Sequence, residues 1–283
     1  MTSNLRIATI NDEISAHLTE VIEFIQSNDI RYVELRTIQG KNLIDYSPEE
    51  LRGFHSLLQS NHIGVSAIAS PLFKWYPEGA GREYSQEVDS FYFNPFLNLE
   101  NKKRYIKKAI AAARILETQY VRIFSSLLTS AVQYSFEQDP LLDLALNEAQ
   151  KHGIILLLEN EPPCFVHSMK DIKYIAKKFF SKNLRVWFDV ANFHIIHEKV
   201  LTDDLKELKN YVKYFHLKDF DEHGKYVPVG KGVINYREII SDIRKKFSHQ
   251  EIYLSLEPHV SSDPKGAVIE SYKTLKQLLS GAA

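Results

Sequence analysis

The chain has 283 residues, of which 44% are hydrophobic and 25% are charged, and its formal net charge is −1. This composition is typical of a globular protein with a core of its own, and the lack of a basic face argues against a nucleic-acid partner. The single cysteine, Cys164, excludes an intramolecular disulfide and is typical of a reducing compartment. Because there is neither an apolar leader nor a run of about 18 apolar residues, we expect a cytoplasmic protein without a membrane partner.

The first half of the chain predicts four strands that alternate with helices. The predicted strands cover residues 5–10, 31–35, 63–69 and 120–124. The helix at 15–27 places Leu18, Val21 and Ile25 on one face. Ser47 and Pro48 predict the start of the next helix, as its N-cap and first helical residue. An alanine-rich helix precedes the fourth strand.

The second half of the chain contains four short apolar runs that each end on an acid or a histidine. The terminal residues are Glu159, Asp189, His216 and Glu257. Each interval between them is long enough for one helix and its loops, as the crossover between parallel strands requires. We therefore expect four parallel strands that bring these side chains to one rim. The predicted helices of this half cover residues 136–152, 168–180, 200–210, 235–247 and 264–279.

Eight strand–helix repeats predict an α/β fold, a (β/α)8 TIM barrel that spans residues 1–283 as a single domain. The alternative is an open, doubly wound sheet. Its usual nucleotide-binding signal is missing, since the chain has neither a G-x-G-x-x-G motif nor a Walker loop. No break in composition marks a domain boundary.

A long aromatic insertion, residues 70–99, follows the third strand, where a loop of 2–6 residues is usual. Its aromatic residues are Phe73, Trp75, Tyr76, Tyr84, Phe91, Tyr92, Phe93 and Phe96. One interpretation is a lid whose aromatic faces pack on a sugar-like ligand, with Lys74 and Trp75 reaching the site. The other is a packed surface segment or a subunit contact, which would be compatible with a homo-oligomer.

Three carboxylates and an imidazole that converge in a cavity repel one another unless a cation lies between them. Several hard oxygens and one nitrogen suit Mn²⁺, Mg²⁺ or Co²⁺ better than a structural zinc, although Zn²⁺ is allowed. We therefore expect one divalent metal, with Mn²⁺ favoured. A single acid after a strand could instead cap the next helix, but four at successive strand ends favour a metal site. Glu161 could compete with Glu159; we favour Glu159, which directly follows the apolar run.

Several segments resemble the sugar phosphate isomerase/epimerase family of the xylose-isomerase-like barrel superfamily. They are Leu158-Glu159-Asn160, Phe188-Asp189, Asn192, His216-Leu217-Lys218-Asp219, Val229-Gly230-Lys231-Gly232, Leu256-Glu257-Pro258-His259, Glu34-Leu35-Arg36 and Ala69-Ser70-Pro71. The resemblance implies that Glu159, Asp189, His216 and Glu257 bind one metal. It also implies that Glu159 and Glu257 act as acid and base on opposite faces of a substrate.

Two positions depart from the pattern of the family. Asn192 stands where the epimerases commonly have a substrate-contacting histidine. The AP-endonuclease branch needs more histidines for three metals, and Asn192 and Ser70-Pro71 replace two of them. Together with the missing basic face, this argues against DNA as a substrate.

Polar groups near the predicted rim are candidates for contacts to a small sugar-like substrate. The candidates are Glu34, Arg36, Lys74, Trp75, Arg122, Glu161, Asn192 and Lys218. Lys218 could hold a carboxylate, a phosphate or an enediolate oxygen. Alternation along the strand could equally turn its side chain away.

The sequence thus predicts a metal-dependent isomerase or epimerase that acts on a ketose, hydroxy-ketone or polyol derivative through a metal-bound enediolate. A dehydratase of an inosose or a dehydroshikimate-like substrate is the alternative within enzymes, because it shares the first proton abstraction. A non-catalytic sugar-binding protein is the alternative of another class.

Overall fold

The computed structural model describes residues 4–80, 93–179 and 182–281. In this part of the chain, eight parallel strands form a closed barrel in which each strand pairs with the next and β8 pairs with β1. The strands are β1 Leu5–Ile10, β2 Tyr32–Leu35, β3 Gly64–Leu72, β4 Tyr120–Ile123, β5 Ile155–Glu159, β6 Leu184–Asp189, β7 Val212–Leu217 and β8 Ile252–Leu256. The predicted (β/α)8 barrel is confirmed.

Helices connect the strands, and most begin at a capping side chain. They are α1 Leu18–Ser27, α2 Pro48–Ser60, α3 Leu99–Ile115, α4 Leu142–Lys151, α5 Met169–Lys178, α6 Val190–Ile195, α7 Thr202–Leu208, α8 Tyr236–Lys246 and α9 Pro264–Ser280. Ser47 caps α2 in a capping box with Glu50, as predicted from Ser47 and Pro48. None of the described helices combines the length and apolarity that a membrane crossing requires.

Most element boundaries differ from the sequence prediction by up to three residues, and the notable differences concern α4, β3 and α6. The helix predicted at 136–152 begins only at Leu142, because Pro140 interrupts the pattern and a separate 3-10 turn covers Phe136–Gln138. The third strand continues three residues further than predicted, to Leu72. The short helix α6 was not predicted, because six residues are too few for an apolar period.

Aromatic side chains fill the barrel beneath its carboxyl-terminal rim. The Trp187 and Tyr214 rings stack with centroids 3.8 Å apart, and Tyr214 stacks in turn on Tyr253 at 5.6 Å. Arg6 lies over the Tyr32 ring, 5.1 Å from its centroid. The edge of Trp187 contacts His216, with ring centroids 4.8 Å apart, so this packed aromatic layer forms the floor of the site at the rim.

The described part of the insertion packs largely against itself and the barrel. Phe73 has a positive φ of 65°, which turns the chain at the end of β3. The rings of Phe73 and Trp75 lie 5.0 Å apart, and those of Tyr76 and Phe96 stack at 4.8 Å. Residues 81–92, with the predicted Tyr84, Phe91 and Tyr92, lie outside the described residues. Whether the insertion is a lid or a subunit contact stays a prediction.

Asp219 organises the long loop between β7 and α8. Its buried carboxylate accepts hydrogen bonds from the backbone N–H groups of Gly230 and Gly232, each at 3.0 Å, and of Ile234 at 3.3 Å. A Cβ at position 232 would overlap the Phe220 carbonyl oxygen and the Asp219 carboxylate. A glycine at position 232 is therefore required by this close approach of backbone to carboxylate.

We predict that Gly232→Ala destabilises the protein by about 1–3 kcal/mol, because the new methyl group pushes the loop off a buried acceptor. Gly53→Ala is the matched control, since Gly53 lies in the middle of α2 with nothing near its missing Cβ. This control should stabilise by about 0.5–1 kcal/mol. Urea unfolding of both variants measures the two effects, and an equal response at both positions would contradict the role of Asp219.

Candidate metal centre and its cavity

Four predicted ligands meet at the carboxyl-terminal ends of the last four barrel strands. Glu159 ends β5, Asp189 ends β6, His216 lies near the end of β7 and Glu257 directly follows β8. Parallel pairing places Asp189 opposite His216. All four side chains are buried, and one ligand atom of each lies within 4.8 Å of the others.

The imidazole of His216 is the centre of this group. Its Nδ1 atom lies 3.0 Å from Glu159 Oε1, 3.0 Å from Glu257 Oε2 and 3.9 Å from Asp189 Oδ2. One nitrogen and three carboxylate oxygens thus face a common point, as the ligands of an oxygen-rich divalent site do.

Glu34 sets the orientation of His216 from the side away from the cavity. The Nε2 atom of His216 lies 2.8 Å from Glu34 Oε2, and the Tyr214 hydroxyl donates to the same oxygen at 3.0 Å. With its Nε2–H donated to Glu34, the ring directs Nδ1 at the other three ligands. Glu34 is fully buried, so it supports His216 and is not in position to contact a substrate as predicted.

The electrostatics of the group demand positive charge. Burial lowers the pKa of His216, but the carboxylates of Glu34, Glu257 and Glu159 outweigh it and hold this pKa well above its ordinary value. Burial raises the pKa of Asp189 to about 6, and the nearby Glu159 carboxylate adds to the rise. The protein thus stabilises a cation here, and a divalent ion would compete with protons for the same atoms.

Two buried oxygens of the group accept no well-directed hydrogen bond. They are Glu159 Oε2 and Asp189 Oδ2, although cationic nitrogens lie 3.1 Å and 2.8 Å away. Buried carboxylate oxygens are normally satisfied. Each of these two oxygens is thus held by an ion pair alone, and the donor set fits a divalent metal.

A cavity of about 420 Å³ opens beside these residues. The lining residues are Lys74, Arg122, Phe124, Glu159, Glu161, Pro162, Pro163, Asn192, Ile195, Lys218, Tyr226, Glu257 and His259. Two of the four candidate ligands, Glu159 and Glu257, line it. Five of the eight predicted substrate contacts also do: Lys74, Arg122, Glu161, Asn192 and Lys218.

Trp75 and Arg36, also predicted to contact substrate, do not line this cavity. Trp75 is only 1% exposed, because it packs in the core between Phe73 and Phe93. The Arg36 guanidinium binds Glu257 Oε1 at 2.7 Å and Asp12 Oδ2 at 2.9 Å. Arg36 thus holds Glu257 from behind.

The cations that line the cavity each contact a carboxylate. Arg122 Nη1 lies 3.1 Å from Glu159 Oε2, and Lys74 Nζ lies 2.8 Å from Glu161 Oε1. Lys218 Nζ lies 2.8 Å from Asp189 Oδ2 and 3.2 Å from Glu257 Oε2.

These contacts move the pKa values of the paired groups in the direction of ionisation. Burial lowers the pKa of Lys218, but the carboxylates of Asp189 and Glu257 outweigh it and raise the value well above normal. Burial likewise raises the pKa of Glu161, but Lys74 and Lys218 bring it below its usual range.

Asn192 joins the Glu161 carboxylate to the metal ligands. Its side-chain amide donates to Glu161 Oε2 and to the Asn160 carbonyl, each at 2.8 Å. Its backbone N–H donates to Asp189 Oδ1 at 2.8 Å, because Asp189 caps α6. Asn192 thus fixes Glu161 at the cavity wall.

Sequence reasoning assigned no substrate contact to Phe124, Tyr226 or His259, although all three line the cavity. His259 has a positive φ of 54° and its Nδ1 lies 2.8 Å from Glu13 Oε1. Its place in the Glu257-Pro258-His259 motif was a usable signal. Tyr226 reaches His259, with ring centroids 5.1 Å apart, through a short hairpin that the sequence did not indicate.

Solved structures with the same fold cover almost the whole chain at low sequence identity. The probable 3-DHS dehydratase AsbF from Bacillus anthracis matches with a TM-score of 0.72 and 16% identity, over 96% of this chain and 98% of that chain. The IOLI protein with a binding zinc atom gives 0.74 and 16%, over 98% of each chain. D-psicose 3-epimerase in the presence of D-fructose gives 0.66 and 16%, over 98% and 100%.

At this identity the similarity concerns the fold. No curated protein matches the sequence. The family model that describes the xylose isomerase-like TIM barrel matches residues 22–278, which is most of the chain. The chain therefore belongs to the family of xylose isomerase-like TIM barrels.

Proposed function

We propose that this protein is a divalent-metal-dependent isomerase or epimerase that acts on a ketose, hydroxy-ketone or polyol derivative. One observation carries the proposal. Of the four residues whose ligand atoms converge within 4.8 Å, the two glutamates, Glu159 and Glu257, line the cavity. The same carboxylates can therefore contact both an ion and a substrate carbon.

The proposed reaction moves a proton at the carbon next to a carbonyl group. A divalent ion held by Glu159, Asp189, His216 and Glu257 would supply a Lewis acid for charge that develops on substrate oxygens. One glutamate accepts the proton from carbon, and the other returns a proton to the substrate. Arg122 beside Glu159, and Arg36 beside Glu257, restrict the two carboxylates.

The family resemblance implies that Glu159 and Glu257 lie on opposite faces of the substrate, which would make the product an epimer. Mn²⁺ is the ion we favour, because three carboxylates and one imidazole suit it. Zn²⁺ remains compatible, and a similar structure holds zinc.

A dehydratase is the second candidate, and the position of Lys218 favours it. Its buried ammonium lies 3.2 Å from Glu257 Oε2, so a cationic hydrogen-bond donor stands beside a candidate base. Such a donor would stabilise the charge that develops on the oxygen of a departing β-hydroxyl group. Ultraviolet detection of a conjugated enone distinguishes this outcome from epimerisation, which forms none.

We predict that each chain binds one divalent ion and that Glu159→Gln, Asp189→Asn, His216→Ala and Glu257→Gln each weaken it at least about 100-fold. Plasma mass spectrometry of protein purified without chelators measures the content. Removal of the ion, and each glutamate substitution, should slow deuterium uptake at the substrate α-carbon by about 10²–10⁴-fold.

The control for these ligand variants is Glu270→Gln, which removes a solvent-exposed carboxylate 3.2 Å from Lys231. It should retain both the ion and the exchange rate. Tight sugar binding to metal-free protein without exchange would favour the non-catalytic binding protein instead. Three ions per chain would contradict the single-metal site.

We also predict that Glu34→Gln lowers metal affinity by about 10–100-fold, although Glu34 is not a ligand. The neutral amide no longer fixes the His216 ring with the same strength. Competition against a chelating dye measures the affinity independently of turnover. Tyr214→Phe is the control, because it removes one hydrogen bond to Glu34 and leaves the carboxylate; its effect should be smaller. Equal affinity for Glu34→Gln and the unmodified protein would exclude this positioning role.

A further inference from the structure

We infer that the substrate of this cavity carries no charge, so that it is a neutral polyhydroxy ketone or polyol and neither a sugar phosphate nor a sugar acid. The inference rests on the proposed function, because it assigns the substrate class of the same site. It is carried by the contacts of the cationic side chains around the cavity.

The described cations that line the cavity are all engaged by acids of the protein. Lys74 pairs with Glu161, Arg122 with Glu159, and Lys218 with Asp189 and Glu257, at 2.8–3.2 Å. A phosphate or carboxylate group is normally held by a cation or by a guanidinium fork directed at it. In this cavity the ammonium and guanidinium groups that could bind such an anion are directed at carboxylates of the protein instead.

Arg122 shows this arrangement most clearly. Its guanidinium contacts Glu159 and also donates to the backbone carbonyl oxygens of Ser70 and Ala69, at 3.4 Å and 3.3 Å. It is 2% exposed and held between the rings of Phe124 and Trp187. Turning it towards an anion would break these contacts, leaving two buried carbonyl groups without their donor and the Glu159 carboxylate without its ion pair.

The charges around the centre also balance once a divalent ion is included. Five carboxylates, those of Asp12, Glu34, Glu159, Asp189 and Glu257, oppose Arg36, Arg122, Lys218 and the two charges of the ion, with His216 neutral. Lys74 and Glu161 cancel each other. An anionic substrate would bring excess negative charge into a buried site and lose its own hydration.

The wall formed by Lys74, Glu161 and Asn192 suits neutral hydroxyl groups instead. A hydroxyl both donates and accepts hydrogen bonds, and this wall offers ammonium donors beside carboxylate oxygens without net charge. Phe124, Pro162 and Pro163 supply an apolar lining for the C–H face of a sugar.

The test is binding to the Mn²⁺-loaded protein, measured by titration calorimetry. The probes are neutral ketoses of four to seven carbons, each paired with its phosphate ester and with the sugar acid in which the terminal carbon is a carboxylate. D-Fructose, D-fructose 6-phosphate and D-fructuronate are one such set. We expect at least one neutral ketose to bind about tenfold more tightly than its anionic forms. Tighter binding of an anionic form, or binding by no neutral member, would overturn the inference.

Glu161→Gln tests the cause, because it removes the acid opposite Lys74. We expect the affinity for the anionic forms to rise about tenfold relative to the neutral form, a change of about 1.4 kcal/mol. Lys74→Met should shift the same ratio the other way. Glu148→Gln is the matched control, since Glu148 pairs with Lys151 at 2.7 Å on the outer helix α4, and the ratio should not change. An unchanged ratio in both cavity variants would refute the assigned cause.

Deuterium exchange separates this inference from the proposed reaction. A neutral ketose that binds without exchanging its α-proton would support the substrate class and refute the isomerase. Exchange from a tightly bound sugar phosphate, with weak binding of the neutral sugar, would support the isomerase and refute the substrate class.

Discussion

The crowding of buried carboxylates around His216 is the interaction on which the rest of the site depends. Glu34, Glu159 and Glu257 all lie within 3.0 Å of this imidazole, and no such group is stable without positive charge among it. Arg36, Arg122 and Lys218 supply part of that charge from the surrounding wall. Further positive charge is needed at the point where the four ligand atoms converge, and a divalent ion bound there would supply it.

This arrangement needs a rigid support, and the barrel interior provides it. Trp187, Tyr214 and Tyr253 stack directly beneath the rim, and the Tyr214 hydroxyl links this layer to Glu34. Packing of the aromatic layer therefore fixes the Glu34 carboxylate, which in turn orients His216. A displacement of the floor would reach the centre through two hydrogen bonds, so the aromatic layer has a functional consequence as well as a stabilising one.

The sequence predicted the barrel and the group of four because both follow from a periodic signal, an apolar strand that ends on a polar residue. It could not predict that Glu34 and Arg36 face the ligands from behind, since these contacts join residues 182 and 221 positions apart in the chain. Trp75 is buried for a similar reason: the aromatic composition of the insertion does not reveal whether its rings pack on the protein or on a ligand. Tyr226 reaches the cavity through a tertiary contact that no local pattern encodes.

Asn192 links the cavity wall to the candidate metal ligands. Its side-chain amide donates to Glu161, which pairs with Lys74 across the cavity wall. The amide also shares its backbone with the cap of α6, so the wall and the ligand Asp189 are held by the same turn. One turn of the chain therefore positions both a candidate metal ligand, Asp189, and the Lys74–Glu161 ion pair of the cavity wall.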